Sequence, residues 1–286
     1  MLVSFQGEPG AYSQEAITAH FGQVDTLPCE SFEAVFAAVT SGRSRAGMIP
    51  IENTLAGSIH QNYDLLQRHN LWITGEYFLR VRHCLIALPG VQKSALRRVI
   101  SHPQALGQCD AYLRNLKGVK PEAVFDTAGA VKMLKSSGDR VSAAIASRHA
   151  AEIYGLEILE EGIEDDPENF TRFLALGQQP VTPSKDAKTS IVFSLQNQPG
   201  ALFKALSVFA LRDIDLTKIE SRPLVGKPWE YLFYVDFAGA AGDEIVRKAL
   251  DHLGEYASML RLLGSYPRYR PNLKTSFSPP WGGGRG

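Results

Sequence analysis

The sequence predicts an α/β fold followed by a smaller ferredoxin-like domain, and three patterns support this prediction. In the first part of the chain, short apolar runs alternate with segments of helical periodicity, which is typical of parallel sheets covered on both faces. Residues 178–186 then form a linker with two prolines and no apolar periodicity. Beyond the linker the predicted elements follow the order β-α-β-β-α-β. We therefore expect two domains, at residues 1–178 and 189–266, each large enough for its own core.

The composition is that of a globular protein without a strongly charged partner. Hydrophobic residues make up 44% of the chain, and 30 lysines and arginines balance 30 aspartates and glutamates, so we expect no nucleic acid and no membrane as a partner. No apolar run approaches the roughly 20 residues that cross a bilayer. The three cysteines, Cys29, Cys84 and Cys109, lack metal-like spacing and favour a reducing compartment. The first residues lack a basic leader, so the expected location is cytoplasmic.

The first elements are predicted from glycine turns and capping residues. A strand at residues 2–5 is followed by a glycine turn and by a helix through about Phe21, for which Ser13 is the expected N-cap. A helix that starts after a glycine turn has backbone N–H groups that can hold an anion, although a plain strand-turn-helix connection is the favoured interpretation of this segment alone. Ser31 is expected to cap a second helix, whose apolar residues recur at helical spacing until Gly42.

A dense polar run follows the next buried strand, residues 46–51. It occupies residues 52–59, is interrupted by Gly57, and precedes another helix. A strand that leads into a polar loop and then a helix is typical of the ligand-binding edge of an open α/β sheet. Most of these polar groups are uncharged, which suits a small ligand oriented by hydrogen bonds. We favour ligand binding over the alternative, a cap of the following helix, because one cap requires fewer polar groups.

The rest of the first domain is predicted from the same alternation. One helix, beginning at Pro103 and ending at Gly118, is expected to carry an apolar face. Further helices are expected after Asp126 and after Ser147. The expected strands are residues 71–73, 81–86, 99–101, 123–125 and 141–145.

Thr171 and Arg172 place a hydroxyl and a guanidinium side by side where an acidic loop, residues 160–166, meets a short apolar strand at residues 173–176. Functional groups often collect at such junctions, because a loop presents groups that a strand holds still. The alternative is a threonine at a strand start beside a surface arginine, and this segment alone does not decide between the two.

The second domain is predicted from alternating apolar residues and two helical segments. Its expected strands are residues 191–195, 214–220, 229–237 and 259–263, and its expected helices are residues 202–209 and 242–253. A turn at residues 225–228 joins the second and third strands. The tail, residues 267–286, is rich in glycine and proline and is expected to be disordered.

Five segments of the chain resemble segments of prephenate dehydratase and its close relative arogenate dehydratase, the dehydratases of phenylalanine biosynthesis. They follow the order of that family and are residues 7–13, 51–59, 101–106, 126–128 and 169–173. The resemblance implies a two-lobed catalytic domain like a periplasmic binding protein, with the active site between a lobe of about residues 1–74 and 160–178 and a lobe of residues 75–159. It also implies a C-terminal ACT domain and no metal or organic cofactor.

The resemblance implies a reaction as well. Substrates of this family carry a ring carboxylate, a side-chain carboxylate and a ring hydroxyl, and they lose carbon dioxide and hydroxide to become aromatic. Thr171 matches the family's catalytic threonine, and because an alcohol is a weak acid, we expect it to polarise the leaving group or relay a proton. Glu52 is an alternative proton source. Arg172 either pairs with the side-chain carboxylate or braces the loop through Glu168 or Glu52.

Residues from both lobes are expected to bind the substrate. The candidates are Ser13, Asn53, Thr54, Ser58, Asp126, Thr127 and Phe173. His102 is more often structural than acidic at such a helix start. Ala11 stands where many bacterial dehydratases carry threonine, and its Gly-Ala-Tyr-Ser context resembles the plant arogenate enzymes. The sequence leaves the choice between prephenate and arogenate open.

In this family, two segments of the ACT domain bind L-phenylalanine as a feedback inhibitor. The matching segments contain the expected allosteric residues Gly200, Ala201, Leu202, Glu220, Ser221 and Arg222. Such ACT domains pair between subunits, which implies a homodimer or homotetramer. The alternative from another class is a non-catalytic amino-acid sensor, which would normally carry an output module or an export signal, and neither is evident in the sequence.

Overall fold

The computed structural model describes residues 1–183, 186–224 and 230–270. The chain forms two compact units, one of Met1–Val181 with Leu262–Gly264, the other of Thr182–Arg261 with Ser265–Gly286. A six-stranded and a five-stranded sheet are built from the first 181 residues, and each is the centre of one lobe.

The first lobe contains the six-stranded sheet. Its strands are β1 (Leu2–Gln6), β2 (Asp25–Cys29), β3 (Ala46–Asn53), β4 (Gly57–Ser58), β5 (Trp72–Arg80) and β11 (Phe170–Gly177), and its helices are α1 (Tyr12–Phe21), α2 (Phe32–Thr40) and α3 (His60–Arg68). The strand order is β2-β1-β3-β11-β5, with β4 paired to β3. β1 is parallel to β2 and β3, whereas β11 is antiparallel to β3 and β5. The expectation of purely parallel sheets is therefore wrong, because the chain returns from the second lobe and adds β11 in the reverse direction.

The second lobe contains the five-stranded sheet. Its strands are β6 (Cys84–Ala87), β7 (Arg98–Ser101), β8 (Lys120–Ala123), β9 (Ser142–Ala146) and β10 (Glu157–Glu161), and its helices are α4 (Pro103–Gly107), α5 (Asp110–Asn115), α6 (Thr127–Ser137) and α7 (Arg148–Tyr154). The order β10-β6-β9-β7-β8 is also mixed, since β6 is antiparallel to both of its neighbours. Apolar side chains bury both faces, with Val99 and Ile145 on one face and Ile100 and Ala144 on the other.

Two chain crossings join the lobes, at residues 81–83 and 162–169. The crossings lie side by side, because the backbone N–H of Val81 donates to the carbonyl oxygen of Asn169 at 2.8 Å. The lobes also meet away from the crossings, where Ser147 Oγ donates to the carbonyl oxygen of Gly10 at 2.7 Å. The two lobes are thus held together by hydrogen bonds both at the crossings and away from them.

Several predicted boundaries differ from the structure. The crossings were expected near Thr74 and Leu159, but β5 and β10 continue beyond these residues. The helix predicted from Pro103 is two short helices, α4 and α5, because the first ends at Gly107, a poor helix former. The strand predicted at residues 123–125 is β8, which ends at Ala123, is exposed along its length and shows no apolar pattern.

The capping predictions had mixed outcomes. The Ser31 side chain accepts from the backbone N–H of Ala34, which confirms it as the N-cap of α2. Ser13 is not an N-cap, since Ala11 holds that position in α1 without a side-chain hydrogen bond. α1 begins with Tyr12, so Ser13 is buried within its first turn. Strand β2 was not predicted, because its sequence DTLPC lacks apolar alternation.

The second unit has the predicted β-α-β-β-α-β order. Its elements are β12 (Ala187–Leu195), α8 (Ala201–Ala210), β13 (Leu216–Pro223), β14 (Tyr231–Ala238), α9 (Glu244–Tyr256) and β15 (Ala257–Pro267). The sheet order β13-β14-β12-β15 is that of a ferredoxin-like fold. The predicted turn at residues 225–228, two linker residues, Ser184 and Lys185, and the tail from residue 271 lie outside the described residues. None of the helices within the described ranges is long and apolar enough to span a membrane.

Candidate active site

A cleft of about 510 Å³ lies between the two lobes of the first unit. The residues predicted for the site that line it are Ser13, Asn53, Asp126, Thr127, Thr171 and Phe173. Predicted residues that do not line it are Glu52, Thr54, Ser58 and Arg172. Phe173, only 2% exposed, and Ala11 are apolar residues of the cleft lining.

Thr171 and Asn53 form the centre of the cleft wall on the first lobe. They are partners in the antiparallel register of β11 and β3, so their side chains lie on the same face. Asn53 Nδ2 donates to Thr171 Oγ1 at 3.0 Å. Because a hydroxyl has a single proton and Oγ1 is here the acceptor, that proton is left for donation to a ligand.

The orientation of the Asn53 amide follows from its backbone surroundings. Asn53 Oδ1 accepts from the backbone N–H groups of Leu55 at 3.1 Å and Ala56 at 2.9 Å, which closes the turn after β3. Nδ2 therefore points the other way, to Asn169 Oδ1 at 2.8 Å and to Thr171. Asn53, which ends β3 and belongs to the predicted polar run, thus sets the direction of the Thr171 hydroxyl.

Thr54 holds the loops together and is not a cleft residue. Its Oγ1 donates to the carbonyl oxygen of Glu168 at 2.8 Å and accepts from the backbone N–H of Phe170 at 3.0 Å. These bonds fix the entry of β11 against the end of β3. Ser58 lies in the short strand β4, opposite Glu52, and is likewise outside the cleft lining.

Arg172 and Glu52 are on the face of the sheet opposite Thr171, because alternate residues of a strand point to opposite faces. Arg172, 4% exposed, donates from Nε and Nη2 to Glu76 Oε2 at 2.9 and 2.8 Å, and its Nη1 lies 3.5 Å from Glu52 Oε1. The guanidinium also lies 5.8 Å from the centre of the Phe78 ring. The structure therefore favours the bracing role for Arg172 through Glu52 and adds Glu76, which was not predicted. Neither Arg172 nor Glu52 reaches the cleft to meet a substrate carboxylate or a leaving group.

On the second lobe, Asp126 and Thr127 begin helix α6. The Asp126 carboxylate accepts from the backbone N–H of Gly129 as the N-cap. Burial raises the pKa of Asp126, and the hydrogen bond from Gly129 opposes this effect. His102 Nδ1 accepts from the backbone N–H of Gln104 at 3.2 Å, so this histidine caps α4, in accord with the structural interpretation favoured above.

The charge of the cleft is low and slightly acidic. Among its lining residues, all within the described residues 1–183, there is no lysine or arginine, and the carboxylates are Glu30 and Asp126. A ligand carboxylate must then be held by neutral donors and helix starts, which the lining provides in several glutamines, serines and threonines. The described residues contain no cluster of three or more metal-ligating side chains.

Sequence reasoning gave no role in the site to several cleft residues, and Tyr12, His83 and Gln108 are among them. Tyr12 belongs to the Gly-Ala-Tyr-Ser segment, which was recognised without a role being given to the tyrosine. His83 and Gln108 have no local signal, because each is notable only for the side chains that the fold brings to it.

In the second unit, the predicted allosteric residues occupy a helix start and a strand. Gly200, with φ of 77°, is the N-cap of α8, and Ala201 and Leu202 form its first turn. The positive φ favours glycine at this turn. Glu220, Ser221 and Arg222 lie consecutively in β13.

The fold and the cleft are those of a two-lobed, binding-protein-like protein that also contains a ferredoxin-like domain. Residues 3–181 match the family model of prephenate dehydratase, and residues 189–255 match that of the ACT domain. The chain belongs to the prephenate dehydratase family, which consists of decarboxylating hydro-lyases, and the predicted fold class, enzyme class and ACT domain are confirmed.

Similar proteins include plant enzymes and bacterial structures. The chain is 52% identical over 276 residues to arogenate dehydratase/prephenate dehydratase 2 of Arabidopsis thaliana, covering 93% of this chain and 72% of that protein. It is 49% identical over 283 residues to arogenate dehydratase 2 of Petunia hybrida, again covering 93% and 72%.

Two solved structures are close to the whole chain. Prephenate dehydratase of Arthrobacter aurescens in complex with L-Phe has a TM-score of 0.86 and 30% identity, covering 94% of this chain and 90% of that one. GqqA, described as a novel type of quorum quenching acylase, has a TM-score of 0.88 and 38% identity, covering 94% and 98%. Each of these structures includes both the two-lobed part and the C-terminal part.

Proposed function

We propose that this enzyme catalyses the decarboxylating dehydration of prephenate or arogenate in phenylalanine biosynthesis, with Thr171 as the catalytic residue. The observation that carries the proposal is the Thr171 hydroxyl, which lines the cleft between the lobes and accepts a hydrogen bond from Asn53. In the reaction, the bond between the ring and its carboxylate breaks and carbon dioxide leaves. The electrons of that bond enter the ring, the bond to the ring hydroxyl breaks on the opposite side, and hydroxide leaves as water after gaining a proton.

Thr171 acts on the departing oxygen. With Asn53 as donor to Oγ1, the threonine proton is directed to the leaving group, and a positioned proton donor contributes about 10²–10⁴-fold to such a step. A lining without lysine or arginine, all of it within residues 1–183, also suits decarboxylation. A fixed lysine or arginine on the ring carboxylate would stabilise the substrate as well as the transition state. It would therefore not raise kcat.

Arogenate is the favoured substrate because of the charge of the cleft. Arogenate carries an ammonium where prephenate carries a keto group. The lining, all of it within residues 1–183, contains the carboxylates of Asp126 and Glu30 and no basic residue except histidine. Burial raises the pKa of Asp126, which a bound cation would counteract. Ala11, which also lines the cleft, and the similarity to arogenate dehydratase 2 of Petunia hybrida support this choice.

The test is the ratio of specificity constants for the two substrates. Purified protein is mixed with prephenate or arogenate, and phenylpyruvate or phenylalanine is measured. Asp126→Asn retains an N-cap acceptor but removes the charge. It should lower kcat/KM for arogenate about tenfold relative to prephenate, which corresponds to about 1.4 kcal/mol. An unchanged ratio would remove Asp126 from substrate choice, whereas absence of product from both substrates would favour the amino-acid sensor.

The C-terminal unit is proposed to mediate feedback inhibition by L-phenylalanine. The residues expected to bind it are Gly200, Ala201, Leu202, Glu220, Ser221 and Arg222, and the support is the ACT match together with the similar Arthrobacter aurescens protein in complex with L-Phe. Ser221→Ala should raise the phenylalanine concentration for half-inhibition about tenfold, as expected for a lost hydrogen bond, with little change in basal rate. Thr217→Ala, on the same strand, is the matched control. Equal sensitivity of wild type and Ser221→Ala would contradict the assignment.

A homodimer or homotetramer in the cytoplasm is also part of the proposal. The support is the ACT domain, since such domains pair between subunits in the family. Light scattering after size-exclusion chromatography, with and without L-phenylalanine, measures the mass directly, and a monomer under both conditions would contradict the proposed assembly.

A further inference from the structure

His83 lies in the first crossing between the lobes and is held there by its backbone. Its N–H donates to Glu164 Oε2 at 2.9 Å, and its carbonyl oxygen accepts from the backbone N–H of Gly162 at 2.9 Å. Both partners belong to the second crossing, residues 162–169. The residue is 2% exposed, and its ring is one of the groups that line the cleft. The imidazole is therefore fixed in position where the lobes join.

The two ring nitrogens contact one residue from each lobe. Nδ1 lies 2.8 Å from the hydroxyl of Tyr12, in the first turn of α1, and the two rings meet edge to face. Nε2 lies 2.9 Å from Gln108 Oε1, between α4 and α5 of the second lobe. Tyr12 and Gln108 both line the cleft. His83 thus links two cleft residues whose sequence positions are 96 apart.

The protons on these groups are coupled. Burial lowers the pKa of His83, while the Gln108 contact and the Glu164 charge act in the opposite direction, so the ring is neutral near pH 7 and carries one proton. A carbonyl oxygen only accepts, so the contact with Gln108 Oε1 requires the ring proton on Nε2. The Tyr12 hydroxyl stays protonated because burial raises the pKa of Tyr12, and its single proton then lies between two acceptors, Nδ1 at 2.8 Å and the carbonyl oxygen of Arg82 at 3.0 Å.

The contact between His83 and Gln108 Oε1 also determines where the NH₂ group of the same amide lies. With Oε1 held by His83, the NH₂ group is turned away from the imidazole and can donate to a ligand in the cleft. If the ring proton were on Nδ1, the NH₂ group would face Nε2 and the amide oxygen would be available instead, which would repel a carboxylate. The cleft lining, all of it within residues 1–183, has no lysine or arginine to attract an anion. The direction of the Gln108 amide therefore affects anion binding strongly.

We propose that His83 is a positioning residue for substrate binding, which holds the Gln108 carbonyl through Nε2–H and so directs the Gln108 NH₂ group at a carboxylate of the substrate. The inference rests on the proposed function, because it assumes that the cleft takes a carboxylate ligand. Its effect is on binding and not on the step at Thr171, so it should appear in KM.

The test uses two replacements that separate the two ring contacts. His83→Gln places an amide NH₂ near the position of Nε2 and can keep the contact with Gln108. His83→Asn places its polar atoms near Nδ1 and loses that contact. We expect His83→Asn to raise KM about tenfold with kcat within about threefold, and His83→Gln to restore most of the loss. His149→Gln, a histidine of α7 that does not line the cleft, is the matched control.

A double-mutant cycle decides whether His83 acts through Gln108. If it does, His83→Asn should have little further effect on KM in a Gln108→Leu background. Additive losses, an unchanged KM in His83→Asn, or equal KM values for His83→Asn and His83→Gln would each overturn the proposal.

The tautomer can be measured in the wild-type protein without turnover. In a ¹⁵N-histidine spectrum, the resonance that disappears in His83→Gln should be that of a neutral ring protonated on Nε2. If His83→Gln does not fold, the resonance is assigned by replacing each of the other six histidines, and a ring protonated on Nδ1 would overturn the proposal. A wild-type protein without dehydratase activity would contradict the proposed function but leave this measurement valid, so the two failures are distinguishable.

Discussion

Thr171 and Arg172 are neighbours in the chain, but the two faces of β11 on which they lie have opposite characters. Thr171 faces the cleft and has a neutral partner, the Asn53 amide. Arg172 faces the other way, is almost completely buried, and pairs with Glu76 in β5 and Glu52 in β3. One strand thus supplies the proposed catalytic hydroxyl on one face and an ionic connection between three strands on the other. The comparison teaches that strand alternation can keep a charged side chain away from a hydroxyl in the cleft that is only one residue distant.

The two faces should also respond differently to mutation. Removing the Thr171 hydroxyl deletes the group that we propose acts on the departing oxygen but leaves the packing of the sheet nearly intact. Removing Arg172 leaves Glu76 buried without its main partner, which is costly for folding. Activity and stability should therefore separate between adjacent positions.

Thr171→Ala is expected to have the largest effect on activity. The variant should lower kcat about 10²–10⁴-fold, because no proton donor then contacts the departing oxygen. KM should change little, and the midpoint of thermal unfolding should stay close to that of wild type. Steady-state kinetics and calorimetry measure both quantities, and Thr171→Ser, which keeps the hydroxyl, is the control. Normal turnover in Thr171→Ala would end the proposed role.

Arg172→Met should affect stability more than chemistry. Breaking a buried ion pair by removing one partner costs about 3–5 kcal/mol, which denaturant unfolding can measure. The double variant Arg172→Met/Glu76→Leu should recover much of this loss, since it removes the second charge as well. Arg114→Met, at the exposed pair with Asp110, is the control and should change stability far less. A folded Arg172→Met protein that lost turnover as completely as Thr171→Ala would contradict the contrast between the faces.

Asn53→Asp tests the connection between the amide and the hydroxyl, with a smaller expected effect. The carboxylate can still accept from Leu55 and Ala56 but cannot donate to Thr171, so the threonine proton would turn to the new carboxylate. We expect kcat to fall about 10–100-fold, equivalent to about 1.4–2.7 kcal/mol. In a Thr171→Ala background the substitution should add little. An independent additional loss would show that Asn53 acts through another group.

Local sequence patterns correctly predicted those elements whose formation depends on neighbouring residues. The cap at Ser31, the helix after Asp126 and the elements of the ferredoxin-like order depend on neighbouring residues, and the structure contains them. Thr171 and Asn53 were each selected from their own segment. Their pairing, across 118 positions of sequence, requires the register of β11 against β3, which no local pattern contains.

The choice between the two roles of Arg172 and the missed cleft residues depend on the same kind of information. Arg172 was expected where a loop meets a strand, with a substrate contact and a bracing role both open, but the strand begins earlier and turns the side chain to the buried face. Its partner Glu76 is 96 positions away. His83 lies in a crossing with no periodicity of its own, and its contacts come from Tyr12 and Gln108. Long-range partners decide these roles, and one sequence does not show them.

The cleft lining, which lies within residues 1–183, contains no lysine or arginine. This composition affects the rate of association with substrate. A charged ligand gains little long-range attraction from such an entrance, and the whole chain has a formal net charge of zero. Association should therefore proceed by ordinary diffusion without steering, and added salt should change kcat/KM only slightly, because there is little attraction for it to screen.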